Sequence, residues 1–65
     1  MVMRIKELRE GNGMTQKQLA AEMDVLPSAV WNWEVEVALP KTRDIPKLAA
    51  VLGCTIDDLF RREAG

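Results

Sequence analysis

An all-α fold, a compact bundle of five short helices, is what these 65 residues predict. Three observations carry the prediction. Apolar residues recur at spacings of three and four along most of the chain, the period of a helix that buries one face. Caps and breakers separate these stretches: Gly11-Asn12-Gly13, Thr15, Pro27, Pro40, Asp44, Gly53 and Thr55. Only Val35-Glu36-Val37 alternates with period two, and three residues are too few for a strand.

The first helix is expected over residues 2–10, with Val2, Ile5 and Leu8 as its apolar stripe and Met3 and Arg4 beside them. Gly11-Asn12-Gly13 ends it. Thr15 then caps a second helix of about two turns, and Gln18 at the third helical position can reach back to complete a capping box. Leu19, Ala20 and Met23 form its buried side. Pro27 suits the first turn of the third helix, where its missing amide donor would be unpaired anyway. Val30 and Trp33 share one face of that helix, and Ser28, Trp31 and Asn32 share the other. Its end, around Val35 to Val37, is left open. Asp44 reads as the cap of the fourth helix, with Ile45, Leu48, Ala49 and Leu52 as core and Gly53 as stop. Thr55 caps the fifth, where Leu59 and Phe60 finish the core, with Asp57 and Asp58 in the first turn and Arg61 and Arg62 in the last, both favoured by the helix dipole.

Charge and chemistry exclude several functions. Nine basic residues stand against ten acidic ones, so the bulk balance disfavours a non-specific polyanion binder, although distribution matters more than the sum. Histidine is absent and Cys54 is the single cysteine, which removes internal disulfides, multi-cysteine metal sites and most acid–base catalysis. Asp57 and Asp58 are neighbours at a helix start and serve as capping charges, so the expectation is no enzyme, no cofactor and no small-molecule substrate. Cys54 sits in an apolar run and reads as a small buried hydrophobe. Neither a 20-residue apolar run nor a signal-peptide pattern occurs, which points to the cytoplasm. One domain, 1–65 with its core over about 4–60, is expected.

The middle pair of helices has a particular spacing. Ala20 is small where a second helix must cross closely, Asp24 stands four residues on where left-handed backbone is needed, and Val30 and Trp33 follow as core. That spacing is a helix–tight turn–helix unit, whose second helix is the natural groove reader. Thr15-Gln16-Lys17-Gln18-Leu19-Ala20, Trp33-Glu34 and the run from Leu48 to Phe60 together resemble the lambda-repressor-like helix-turn-helix family of phage repressors and Xre-type bacterial regulators.

The resemblance implies sequence-specific binding of double-stranded operator DNA by a bacterial or phage transcriptional regulator, a repressor acting as a homodimer. It implies base contacts from Ser28 and Asn32, and phosphate contacts from Gln16, Lys17, Lys41 and Arg43. Arg9 and Glu34 match a pair that bridges helices one and three. By analogy, Ile56, Leu59 and Phe60 form the dimer surface. Two departures matter. Leu26 stands where a capping serine is common, and Val35-Glu36-Val37-Ala38-Leu39 brings one acid and no base where the family commonly has asparagine, glycine and then basic residues. Affinity should fall and the salt dependence should be shallower. Trp31 is unusual on a reading face. It can lean on Pro27 or Val35, meet thymine methyls or sugar, or contact another protein. The rival reading is therefore a protein-interaction module of the same fold, with an apolar patch around Trp31, Val35, Val37 and Leu39.

Overall fold

The computed structural model describes residues 3–60. Among them run α1 (Ile5–Gly11), α2 (Gln16–Met23), α3 (Pro27–Glu34), α4 (Ile45–Leu52) and α5 (Ile56–Leu59), with a short 3-10 turn at Thr42–Asp44 leading into α4. Each helix is too short to persist alone in water, so the bundle stands on the apolar face that each one buries. Ile5, Leu19, Ala20, Met23, Val30, Trp33, Leu48, Ala49, Leu52 and Leu59 make one continuous core drawn from all five.

The helix starts follow local chemistry. Thr15 Oγ1 accepts from the Gln18 amide at 3.0 Å while Gln18 Oε1 accepts from the Thr15 amide at 2.8 Å, a complete capping box. Thr55 and Asp58 repeat it at α5. Pro27 opens α3 behind Leu26, whose side chain caps nothing.

The helix ends share one device. After α2, the Asp24 amide bonds to the Ala21 carbonyl and the Val25 amide to the Ala20 carbonyl. This is the Schellman pattern, which needs a left-handed residue at its corner. The same pair of bonds recurs after α1, α3 and α4, with Gly13, Glu36 and Gly53 at the corner. Glu36, at φ 65°, occupies glycine's conformation without glycine's freedom. Glu36→Gly is expected to stabilise the fold by about 0.5–1 kcal/mol, the left-handed cost less the entropy glycine adds to the unfolded chain. A rise of a few degrees in thermal midpoint would register it.

Three expectations are corrected. α1 begins at Ile5, not residue 2, because Met3 forms an antiparallel bridge with Phe60 and the Arg4 amide donates to the Leu59 carbonyl at 2.6 Å. Asp44 does not cap α4. Its backbone is already helical, continuing the 3-10 turn into the helix, and its side chain makes no capping bond. Leu59, expected on a dimer surface, is fully buried, since the clamp on its carbonyl holds that end of α5 against α1. Val2, Arg61 and Arg62 lie outside the described residues.

Cys54 is partly buried. Burial, reinforced by the negative charge of Asp58 and opposed by Arg4, pushes its thiol above the ordinary value. Less thiolate forms at neutral pH, so iodoacetamide should label the native chain more slowly than the urea-unfolded chain, as mass spectrometry would record.

Candidate nucleic-acid interface

The helix-turn-helix geometry starts with α2 and α3. Ala20, on α2, is buried, and Asp24 adopts the left-handed corner at φ 57° that turns the chain from one helix to the next. Aspartate tolerates this conformation better than most residues because its short side chain can bond locally.

α3 divides cleanly. Val30 and Trp33 are buried, while Ser28 and Trp31 are exposed and Asn32 is half-buried. At 3.6 residues per turn, Ser28, Trp31, Asn32 and Val35 fall within an arc of about 100° opposite the core. Among the described residues, no hydrogen bond engages the side chains of Ser28 or Asn32. Asn32 does contribute its backbone carbonyl, which accepts from the Val37 and Ala38 amides and fixes the helix end.

The acid at the end of α3 is neutralised internally. Glu34 Oε2 accepts from Arg9 Nε at 2.6 Å and its Oε1 from Arg9 Nη2 at 3.2 Å, a two-pronged pair. Arg9 uses its remaining terminal nitrogen on the Met14 carbonyl at 2.7 Å. With side-chain exposures of 10% for Arg9 and 3% for Glu34, this charge is withdrawn from the surface. Glu34 therefore does not repel an approaching polyanion. Glu36, exposed on the turn that follows, still can.

Glu34 also holds Gln16, whose Nε2 donates to Oε1 at 2.9 Å. Sequence reasoning placed Gln16 at a phosphate but missed this link, which joins the start of α2 to the end of α3. An amide nitrogen carries two hydrogens, so the bond to Glu34 orients the group and leaves the second for an outside acceptor. The backbone amides of the first turn of α2 have no intrahelical acceptor and point the same way along the axis. Lys17, in that turn, is exposed. Lys41 and Arg43 are exposed in the segment entering α4, and no hydrogen bond or ion pair ties either of them to α3. Asn12 was also missed: its Nδ2 donates to the Leu8 and Leu52 carbonyls, joining the ends of α1 and α4.

A second surface feature is an apolar groove of about 510 Å³ bordered by Met3, Leu39, Pro40, Thr42, Ile45, Pro46, Ile56 and Phe60. It gathers Ile56, Phe60 and Leu39, but neither Trp31 nor Val35. Leu39 borders this groove, while Trp31 and Val35 are exposed on α3 and its end.

Compared with known families, residues 5–59 match the helix-turn-helix family. The chain belongs to that family. Among curated proteins, the chain is similar to the HTH-type transcriptional activator BcrR of Enterococcus faecalis, at 30% identity over 60 residues. The match covers 92% of this chain and 29% of that relative, so the chain spans less than a third of its length. Family membership accounts for the order of the elements: the matched span runs from the first residue of α1 to the last of α5. Among the described residues, no helix is long and apolar enough to cross a membrane.

Proposed function

We propose that this helix-turn-helix chain is the DNA-reading part of a bacterial or phage transcriptional regulator, with α3 in the major groove of double-stranded operator DNA. One observation carries the reading. α3 is anchored by Val30, Trp33 and the Arg9–Glu34 pair, yet presents Ser28 and Asn32 outward with their side-chain polar groups unspent. An asparagine amide can pair bidentately with adenine, which makes Asn32 the principal specificity residue, with Ser28 and Trp31 beside it. Gln16, Lys17, Lys41 and Arg43 supply phosphate contacts, Gln16 through the hydrogen that Glu34 leaves free.

A unit this small covers a half-site, so the chain acts as a homodimer whose copies lie one helical turn apart. Ile56 and Phe60, with the groove they border, are the surface for the second copy. Regulation is by occupancy of the operator, hence repression where that site overlaps a promoter, in the reducing cytoplasm. The relative named an activator supports the broader role in transcription.

The test is a titration of mixed genomic DNA fragments at about 50 mM and 200 mM salt, where phosphate contacts weaken together. Three cations per copy predict a log–log slope of about −3, or about twice that for a pair bound together. Absence of binding at the lower salt would remove the reading. The protein-interaction reading, motivated by exposed Trp31, Val35 and Leu39, would then be favoured.

A further inference from the structure

We infer that Trp31 reads the 5-methyl group of thymine, so that the chain selects sites with thymine at a fixed step beside the base pair read by Asn32. This rests on the placement of α3 in a major groove and names the base chemistry that the helix selects there.

Residues four apart on a helix stack along one face, and on α3 they make two parallel rows. Ser28 and Asn32 form a polar row. Pro27, Trp31 and Val35 form an apolar row beside it, all of it exposed, with Trp31 at 51%. The rows run side by side on the arc opposite the core, so a surface touching one touches the other. Its partner must therefore offer hydrogen-bonding groups and an apolar group only a few ångströms apart. The major-groove edges of two neighbouring pairs do so when one bears adenine and the next bears thymine: adenine presents N7 and N6–H₂, and the adjacent thymine presents a methyl next to its O4 acceptor. No other standard base carries an apolar group there. Asn32 suits the adenine and Trp31 suits the methyl.

Charge points to the same division of labour. From Pro27 to Pro40 the chain has no basic residue, and its exposed acid is Glu36. α3 itself brings no cation to the phosphates, so base edges are the favoured target of its outer side chains. A protein partner seated in the apolar groove would not explain Trp31, since the groove is bordered by Leu39, Ile56 and Phe60 and leaves the α3 row uncovered.

The experiment replaces thymine by deoxyuridine, which deletes the methyl and leaves every hydrogen-bonding group in place. Duplexes selected by the full chain from a random pool are resynthesised with deoxyuridine at one position at a time, and affinities are read by fluorescence anisotropy at about 50 mM salt. One step in each half-site should weaken about fourfold, the effect of one buried methyl. Trp31→Ala and Trp31→Gln, checked for native circular dichroism, should bind the thymine and deoxyuridine duplexes alike. Binding that ignores deoxyuridine everywhere would overturn the methyl assignment and leave the DNA reading standing. Discrimination that persists in both Trp31 variants would overturn the role of this residue. Unchanged DNA affinity in Trp31→Ala together with lost self-association would move the ring to a protein contact and defeat the inference. No binding to any duplex would defeat the DNA reading and this inference with it.

Discussion

Arg9→Ala is expected to abolish most of the stability of the fold. The substitution strands the Glu34 carboxylate, 3% exposed, with Gln16 as its remaining side-chain donor, and frees the Met14 carbonyl as well. Removing one member of a buried ion pair costs about 3–5 kcal/mol because the other charge stays buried and uncompensated. A single core in a chain of this size supplies about 3–5 kcal/mol in total. The two magnitudes are equal, so urea titration at 25 °C should find the variant largely unfolded before denaturant is added. Replacing both members, Arg9→Met with Glu34→Leu, should recover the fold, since no charge is then left behind. An unchanged melting temperature in Arg9→Ala would mean that the pair contributes nothing net and that α3 is held by Val30 and Trp33 alone.

The double variant also separates structure from function. With Glu34 gone, the hydrogen bond that orients the Gln16 amide is lost. A refolded double variant should therefore lose DNA affinity uniformly across sequences, as expected for a misplaced phosphate contact rather than a lost base contact.

What the sequence displayed was the local part of this architecture. Thr15 with Gln18, Asp24 at its corner and the division of α3 into a core face and an outer face all follow from residues within one or two turns of each other. Periodicity and capping rules report on that range. Asp44 misses its cap for a local reason, the 3-10 turn that already makes its backbone helical, but the other expectations that failed depend on distant partners. Met3 was counted into the first helix, but Phe60 and Leu59 draw that segment into an extended bridge. Leu59 was read both as the end of the core and, by analogy, as dimer surface; it is fully buried, and the Arg4 amide bonds its carbonyl. Asn12 joins the ends of α1 and α4 from a loop that gave no signal beyond its polarity.

The turn after α3 shows a third kind of illegibility. Composition marked Val35-Glu36 as a departure from the glycine-bearing ending common in the family, yet the chain makes the same turn with Glu36 forced into it. Helix geometry set the conformation and the residue complied at a cost in strain. Glu36 adds an exposed negative charge beside α3, which in the proposed DNA complex would weaken non-specific attraction to phosphates.

Asn32→Ala is the substitution that decides whether the amide of Asn32 reads a base. It is structurally quiet: the helix-ending bonds from Val37 and Ala38 go to the backbone carbonyl of residue 32, which alanine keeps, and the side chain is half-buried with no hydrogen bond among the described residues. Stability should change by no more than about 0.5 kcal/mol. Binding to a selected duplex should fall by about 1–3 kcal/mol, the discrimination of one bidentate amide–adenine pair. The loss should be confined in sequence: selection repeated with the variant should flatten preference at one or two base pairs per half-site and leave the others intact. Lys41→Ala and Arg43→Ala should do the opposite, weakening all duplexes alike and reducing the salt slope by about 1 each. If Asn32→Ala behaves like the lysine and arginine variants, its amide meets phosphate or sugar, and selectivity must come from Ser28 and Trp31. If it behaves as a base reader, the two classes of variant divide the surface into a helix that chooses and flanking cations that hold.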